Sequence, residues 1–477
     1  MTTKIFKNYL YNLSYQLLSI IIPFITTPYV SRVLGASGVG KYNYVLGIVS
    51  CFSIVAATGT IAYGQREIAK VQQNVLQRSK MFWEILIFRL IFSTFVLIIY
   101  VIYFMTFLPN YRLLFFVNLF TVFSWFIDVS WYFQGVENFK VTSVRNSFVK
   151  IMITILIFAF VKKKSDVWIY TLIYAIGAFL GNATMLPYLK NEIKKVKVSI
   201  RDIFSNFRGI MELFFPVIAI QLYTVINKVM LGSMSNNKEV GYYSQAYQVI
   251  NVGITVIYSF VAVLTPRVSS LYNKGQRSEI RQYVDEALEN VYFMGLPMMF
   301  GCIAVANEFV PIFFSNGYFP VIKLMKIMSC LFVVLGMDQL LGVFLIAMNK
   351  QRKYTFALSV AAVVNLVLNF IFLRKNMGSL GAAYATVISE IVATSIQIID
   401  LRYYISKRNF LWFFVKYLLP SILMYVVMLI PTFFLSNFSI LSLCLRISLG
   451  ILCYLCFLIL TKNKLFLSIV KTIFPMK

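Results

Sequence analysis

Of the ionisable side chains inside otherwise apolar stretches, which include the cations Lys150, Lys228, Lys326, Lys416 and Arg446, four carry the strongest functional signal: Arg89, Asp128, Asp338 and Glu390. A charge at the centre of a lipid-embedded helix costs about 2.5–3.5 kcal/mol on insertion scales, so such a group faces a partner or a wet cavity. Four cations, Arg32, Arg66, Lys228 and Arg267, stand near the ends of such stretches. The plain alternative for these four is snorkelling or orientation of the chain. For the buried set it is an ion pair between helices. The sequence has no histidine, which removes His-based catalysis, His metal sites and a His proton relay together. Any proton coupling therefore falls to carboxylates.

Amides and tyrosines recur beside these charges. Asn12, Tyr15 and Gln16 form one group, Gln221, Tyr223 and Asn227 a second, and Tyr243, Gln245, Tyr247, Gln248 and Asn251 a third. A wall of amides, hydroxyls and aromatic faces suits a sugar, which offers hydroxyls at its edge and C–H groups on its faces. The same residues could equally hydrogen-bond between helices. Two tempting motifs fail. Gly35-Ala-Ser-Gly-Val-Gly-Lys41-Tyr42 nearly matches a phosphate loop, but Tyr42 replaces the magnesium-binding Ser or Thr and no strand precedes it. Cys453 and Cys456 form a C-x-x-C within an apolar run, with no His or further Cys to complete a metal site. No metal and no resident cofactor is expected, and no ATP hydrolysis.

The elements that must position these residues are membrane helices. Of 477 residues, 60% are hydrophobic and 13% charged, where a soluble chain carries roughly 25% charged residues. Continuous apolar runs recur from end to end, rather than the alternating strands of a barrel. The expected spans are 8–31, 43–63, 81–107, 113–134, 143–161, 166–189, 209–233, 241–265, 288–314, 323–348, 355–373, 379–402, 411–435 and 440–461, about fourteen in an all-α polytopic membrane protein. The first apolar run lacks a small-residue cleavage site and reads as a full span, not a signal peptide. A net charge of +27 would suggest nucleic acid in a soluble protein. Here it marks basic loops, and most Lys and Arg fall inside when both termini are placed in the cytoplasm. Lys162-Lys163-Lys164 is the discordant external loop. The longest connections, 190–208 and 266–287, are then cytoplasmic, and no soluble domain is inserted.

An internal repeat sets the organisation. Leu34-Gly35 followed by Val39-Gly40-x-Tyr42 recurs as Leu231-Gly232 followed by Val240-Gly241-x-Tyr243. Asp128 and Asp338 hold comparable places in the fourth and tenth spans. Two six-helix lobes related by a pseudo-two-fold along the membrane normal follow, a transporter signature. The expected division is an N-terminal lobe at 1–190, a cytoplasmic linker at 191–208, a C-terminal lobe at 209–403, and two additional helices with a tail at 404–477.

These residues resemble a known family. Pro28-Tyr-Val-Ser-Arg32-Val-Leu-Gly35, the Val39-Gly40-x-Tyr42 step, and Tyr63-Gly-Gln-Arg66-Glu67-Ile-Ala69 are similar to the polysaccharide-transporter branch of the multidrug/oligosaccharidyl-lipid/polysaccharide exporter superfamily, the Wzx-type flippases. The likeness extends over nearly the whole length. It implies a MATE-like bundle with a central cavity, which moves undecaprenyl-diphosphate-linked oligosaccharide for capsule, O-antigen or teichoic-acid assembly to the outer leaflet of the bacterial cytoplasmic membrane. It also implies cations for the diphosphate, for which Arg32, Arg66, Arg89, Lys228 and Arg267 are the candidates, since a guanidinium fork suits phosphate oxygens. Asp128, Asp338 and Glu390 become the candidates for coupling to Na+ or H+. The expected partners are the lipid-linked oligosaccharide, the bilayer and polysaccharide assembly proteins, with no nucleic acid and the chain a monomer.

Three alternatives stand beside this reading. A drug/cation antiporter of the same superfamily would want an acid-lined cavity, which the span cations disfavour. A lipid II flippase fits the helix count equally. A membrane polymerase or glycosyltransferase would want a large external loop or a surface acidic cluster, and the external connections hold only Asp166 and Glu239. The chain is therefore expected not to be an enzyme.

Overall fold

A computed structural model describes residues 2–57, 59–190, 192–262, 265–431 and 439–473, and their side chains apart from 2–17, 139–141, 213, 215–224, 262, 265–266, 277 and 469–473. Among the described residues the secondary structure is helical, without strands. By contacts the chain divides into two units, Met1–Gly241 and Tyr242–Lys477.

The first unit holds α1 (Thr2–Ala57), α2 (Thr60–Lys70), α3 (Val75–Phe107), α4 (Arg112–Val117), α5 (Leu119–Phe126), α6 (Ser130–Gly135), α7 (Phe139–Phe160), α8 (Val167–Ala183), α9 (Leu186–Leu189), α10 (Ile200–Ser205), α11 (Phe207–Met234) and the start of α12 (Asn237–Ala262). Expected spans one and two run together as α1, which breaks only at Gly35, with φ 67° and ψ 173°. Glycine alone takes that conformation without a steric cost, so the chain turns there with almost no loop. The fourth expected span is broken into α4, α5 and α6. Its lower end is held by aromatic packing: Trp131 is fully buried, stacks on Phe82 at 5.4 Å, and fits because Gly64 of α2 has no side chain.

The second unit continues with α13 (Thr265–Asn273), α14 (Arg277–Phe313), α15 (Pro320–Met328), α16 (Leu331–Ala347), α17 (Gln351–Arg374), α18 (Gly378–Asp400), α19 (Lys407–Leu429), α20 (Ile440–Leu460) and α21 (Lys464–Ile473). At 1.5 Å per residue, the 37-residue α14 is longer than the roughly 30 Å hydrocarbon core needs. It packs along α16, α19 and α20.

Among the described residues nine helices are long and apolar enough to cross a bilayer, or ten if α15 and α16, bent by 40°, form one span. Of the fourteen expected segments, α1 carries two in one helix, the fourth is cut into α4, α5 and α6, and the seventh and eighth include residues outside those described. By contacts the boundary between the two units falls after Gly241. Helix α11 lies against α1 and so falls in the first unit. The two additional C-terminal helices are integral to the second unit, because α19 and α20 both pack on α14.

Candidate functional site

The break between α5 and α6 is built around Asp128. Its Oδ1 accepts from the Ser130 backbone N–H at 3.0 Å, and its carbonyl accepts from Trp131 Nε1 at 3.2 Å. Short Asp side chains favour such local bonds over helix continuation. Arg89, reaching across from α3, donates from Nη2 to Asp128 Oδ2 and from Nε to the Trp125 carbonyl, each at 3.0 Å. That carbonyl would otherwise be orphaned at the helix end. Arg89 is 2% exposed, and the two charges meet one another.

The remaining expected cations are scattered. Arg66 is exposed, pairs with Glu67 at 2.8 Å and lies over the Tyr63 ring. Arg267 is exposed at the start of the second unit and lies over the Tyr283 ring at 5.4 Å. Arg32 is exposed on α1. Lys228 is different. Its ammonium donates to Asn43 Oδ1 of α1 at 3.1 Å, and no ion pair engages it among the described residues. A second lysine within the first unit, Lys150 of α7, donates to Ser19 of α1 at 2.6 Å. Sequence reasoning counted it as a span cation but left it out of the site. Near Asn43, Tyr42 of α1 packs edge-on against Tyr170 of α8 at 4.6 Å and beside Tyr174 at 5.7 Å. These three rings are half-buried.

Of the expected glycan residues, Asn12, Tyr15, Gln16, Gln221 and Tyr223 lie outside the described side chains. Asn227 and Gln245 are buried, Gln248 is half-buried and Asn251 is exposed. Tyr243 is also buried, its hydroxyl 2.9 Å from Thr386 Oγ1 and its ring stacked on Tyr247 at 6.0 Å.

In the second unit, polar groups follow one face of α18: Thr386, Ser389, Glu390, Thr394 and Gln397, all buried. Gln397 Nε2 donates to Asp338 of α16, and Asn365 of α17 donates to Ser389 at 3.3 Å. Tyr258 and Tyr354 lie close enough to both Asp338 and Glu390 to feel their charge. The two carboxylates expected to couple an ion therefore share one polar cluster, while Asp128 belongs to the first unit. No group of three metal-binding side chains occurs among the described residues.

Sequence reasoning missed an acidic ladder on α14. Asp285 accepts from Asn409 Nδ2 at 2.7 Å, and Glu289 binds Lys416 and the Tyr417 hydroxyl. Glu308 pairs with Arg446 at 2.8 Å, with both side chains buried. The signal was available, since Lys416 and Arg446 were span cations in need of partners. Between these polar rungs lies an apolar cavity of about 470 Å3, lined among others by Pro297, Gly301, Cys302, Met424, Gly450 and Tyr454. Its volume and lining suit a hydrocarbon chain.

With this geometry the chain matches known proteins over most of its length. Residues 5–272 match the family described as polysaccharide biosynthesis protein, and residues 213–371 match the MatE family. A protein of Escherichia coli (strain K12), provisionally named an O-antigen transporter, is 23% identical over 412 residues, covering 83% of this chain and 96% of that one. Its Shigella dysenteriae counterpart of the same provisional name is 21% identical over 356 residues, covering 73% and 88%. Among solved structures, the lipid II flippase MurJ in an inward closed conformation aligns with a TM-score of 0.78 at 18% identity, covering 96% of this chain and 100% of that one. An inward-facing multidrug resistance MATE transporter aligns with a TM-score of 0.59 at 15% identity, covering 83% and 98%.

Proposed function

Because the chain belongs to the polysaccharide biosynthesis protein family, we propose that it carries an undecaprenyl-diphosphate-linked oligosaccharide from the inner to the outer leaflet of a bacterial cytoplasmic membrane. It works by alternating access, as a multi-pass transporter with both termini in the cytoplasm. The observation that carries this reading is Lys228, a cation within a span whose hydrogen-bond partner is the neutral amide of Asn43. A half-buried ammonium whose partner among the described residues is an amide is short of negative charge, and a diphosphate supplies it. Arg89 does not serve this role, because Asp128 neutralises it. Arg32, Arg66 and Arg267 assist at the ends of the path. Tyr42, Tyr170 and Tyr174 supply ring faces near Asn43 for sugar C–H groups, and the cavity along α14 and α20 takes part of the lipid chain.

Direction comes from an Na+ or H+ gradient acting at Asp338 and Glu390, or from consumption of the product by polymerisation outside. The polar cluster that surrounds these acids supports the first route, since coupling needs carboxylates within one wet network. A lipid II substrate is the second reading, favoured by the MurJ-like fold. The experiment is Lys228→Met against Lys228→Arg in cells with normal protein levels, following the lipid-linked saccharide in each leaflet. Lys228→Met should cut flipping at least tenfold, with Lys228→Arg keeping a measurable rate. Unchanged flipping in Lys228→Met removes the diphosphate role. The saccharide that accumulates inside on gene deletion decides between oligosaccharide and lipid II.

A further inference from the structure

The repeated Val-Gly step has a structural counterpart that the transport reading leaves unused. A Cβ on Gly40 would lie 1.6 Å from the Asn237 carbonyl oxygen and 3.0 Å from the Gly241 nitrogen. A Cβ on Gly241 would lie 2.2 Å from the Ala36 carbonyl oxygen. Asn237 precedes Gly241 by the same four residues by which Ala36 precedes Gly40. The contact is therefore reciprocal: each repeat's glycine sits on the carbonyl one helical turn before the other repeat's glycine. Any side chain at either position would displace backbone.

The surroundings explain why this contact can part. Just before Ala36, α1 turns at Gly35, whose added Cβ would meet nothing within 4 Å. Just before Asn237, α11 has ended at Met234. Each contacting segment is thus the first turn of a helix after a break. The innermost contacts run from backbone to backbone. Such Cα–H to carbonyl contacts are weak individually and need no rotamer change to separate or re-form. Around them lie Tyr44, whose ring covers Gly232, and Tyr111, which packs on Tyr44 at 5.2 Å and donates its hydroxyl to Asn237 Oδ1 at 3.1 Å. This rim holds the contact shut.

We propose that the paired steps Ala36–Gly40 and Asn237–Gly241 form a latch that closes the external end of the transport path and parts once in every cycle. This rests on the transport reading above, in which the connections after spans one and seven are external. A permanent helix crossing of the small-residue kind is the opposite case, and the two differ in what a covalent tie does.

Lys41 and Lys238 each follow a contacting residue and are exposed. With consecutive Cα atoms about 3.8 Å apart and the Gly40 Cβ position 1.6 Å from the Asn237 carbonyl oxygen, their Cα atoms lie within roughly 13 Å of each other. The test is the full-length Lys41→Cys/Lys238→Cys pair, tied from outside by a membrane-impermeant bismaleimide of that reach. Each single variant and the untied pair serve as controls. The expected result is efficient tying and a flipping rate at least tenfold below that of the untied pair. Tied protein that still flips at the untied rate overturns the latch, and so does a pair that never ties. If the untied pair and wild type both fail to move any lipid-linked saccharide, the transport reading fails instead. Amide exchange provides a second measurement on wild-type protein. A latch gives two exchanging populations at 36–44 and 236–244 together, and a fixed crossing gives one slow population.

Discussion

Arg89 and Asp128 offer a measurement of how a charged pair is maintained within a membrane helix bundle. Arg89→Met removes an ion pair and a bond to the Trp125 carbonyl, each at 3.0 Å. Asp128 then keeps its bond to the Ser130 N–H and the more distant charge of Arg145. Breaking a buried pair from one side costs about 3–5 kcal/mol. The Asp128 side chain is 15% exposed, which favours the lower end, about 3 kcal/mol. The orphaned carbonyl adds about 1 kcal/mol. Asp128→Asn strands the guanidinium and should cost about 3 kcal/mol by the same rule. The double variant leaves no uncompensated charge, so it should be more stable than the sum of the singles by about 2–3 kcal/mol. The assay is reversible unfolding of purified protein in detergent for all four members of the cycle. Effects that add to within about 0.5 kcal/mol refute the pairing argument. Flipping gives an independent check. A folded double variant should keep at least half the wild-type flux, and a stable double variant without flux would place these charges on the substrate or the coupling ion.

The other predictions concern separate parts of the fold. Glu308→Gln leaves Arg446 uncompensated between α14 and α20 and should lower stability by about 3 kcal/mol, read by the same unfolding assay. Gly301 has room, since its added Cβ would meet only Met424 at 3.6 Å. Gly301→Leu should therefore preserve thermal stability while filling the apolar cavity and weakening lipid-chain binding, measured by native mass spectrometry with polyprenyl phosphate. At α10, the Ser199 hydroxyl and N–H, with Lys80 nearby, hold Asp202 below the usual carboxylate range. Because its folded value is depressed, the cap is intact above the ordinary range and is lost as pH falls through the lowered value. Amide exchange over 200–205 should thus accelerate on acidification, and Asp202→Asn should abolish that dependence.

Some of this was legible in the chain itself. Apolar runs must be helical where lipid offers no hydrogen bonds, so an all-α polytopic fold followed from composition and run length. The repeat was legible because Leu-Gly and then Val-Gly-x-Tyr recur in the same order, and Lys228 was legible as one of four cations near the ends of apolar runs. Family membership followed the same residues. What the sequence could not supply was pairing. Arg89 and Asp128 are neighbours only because α3 packs beside the broken α5–α6 segment, and nothing in their spacing says so. Asp285, Glu289 and Glu308 read as helix-surface acids until α19 and α20 bring Asn409, Lys416 and Arg446 against them. Likewise the glycines of the repeat are a pattern in one dimension. Only in three dimensions does each lie on the carbonyl of the other repeat, because backbone contact depends on how helices cross and not on which residues they contain. Sequence thus determined the solvent, the helices and the suspects. Tertiary structure decided which charges pair with one another and which, like Lys228, have an amide as partner among the described residues, because pairing depends on how helices pack.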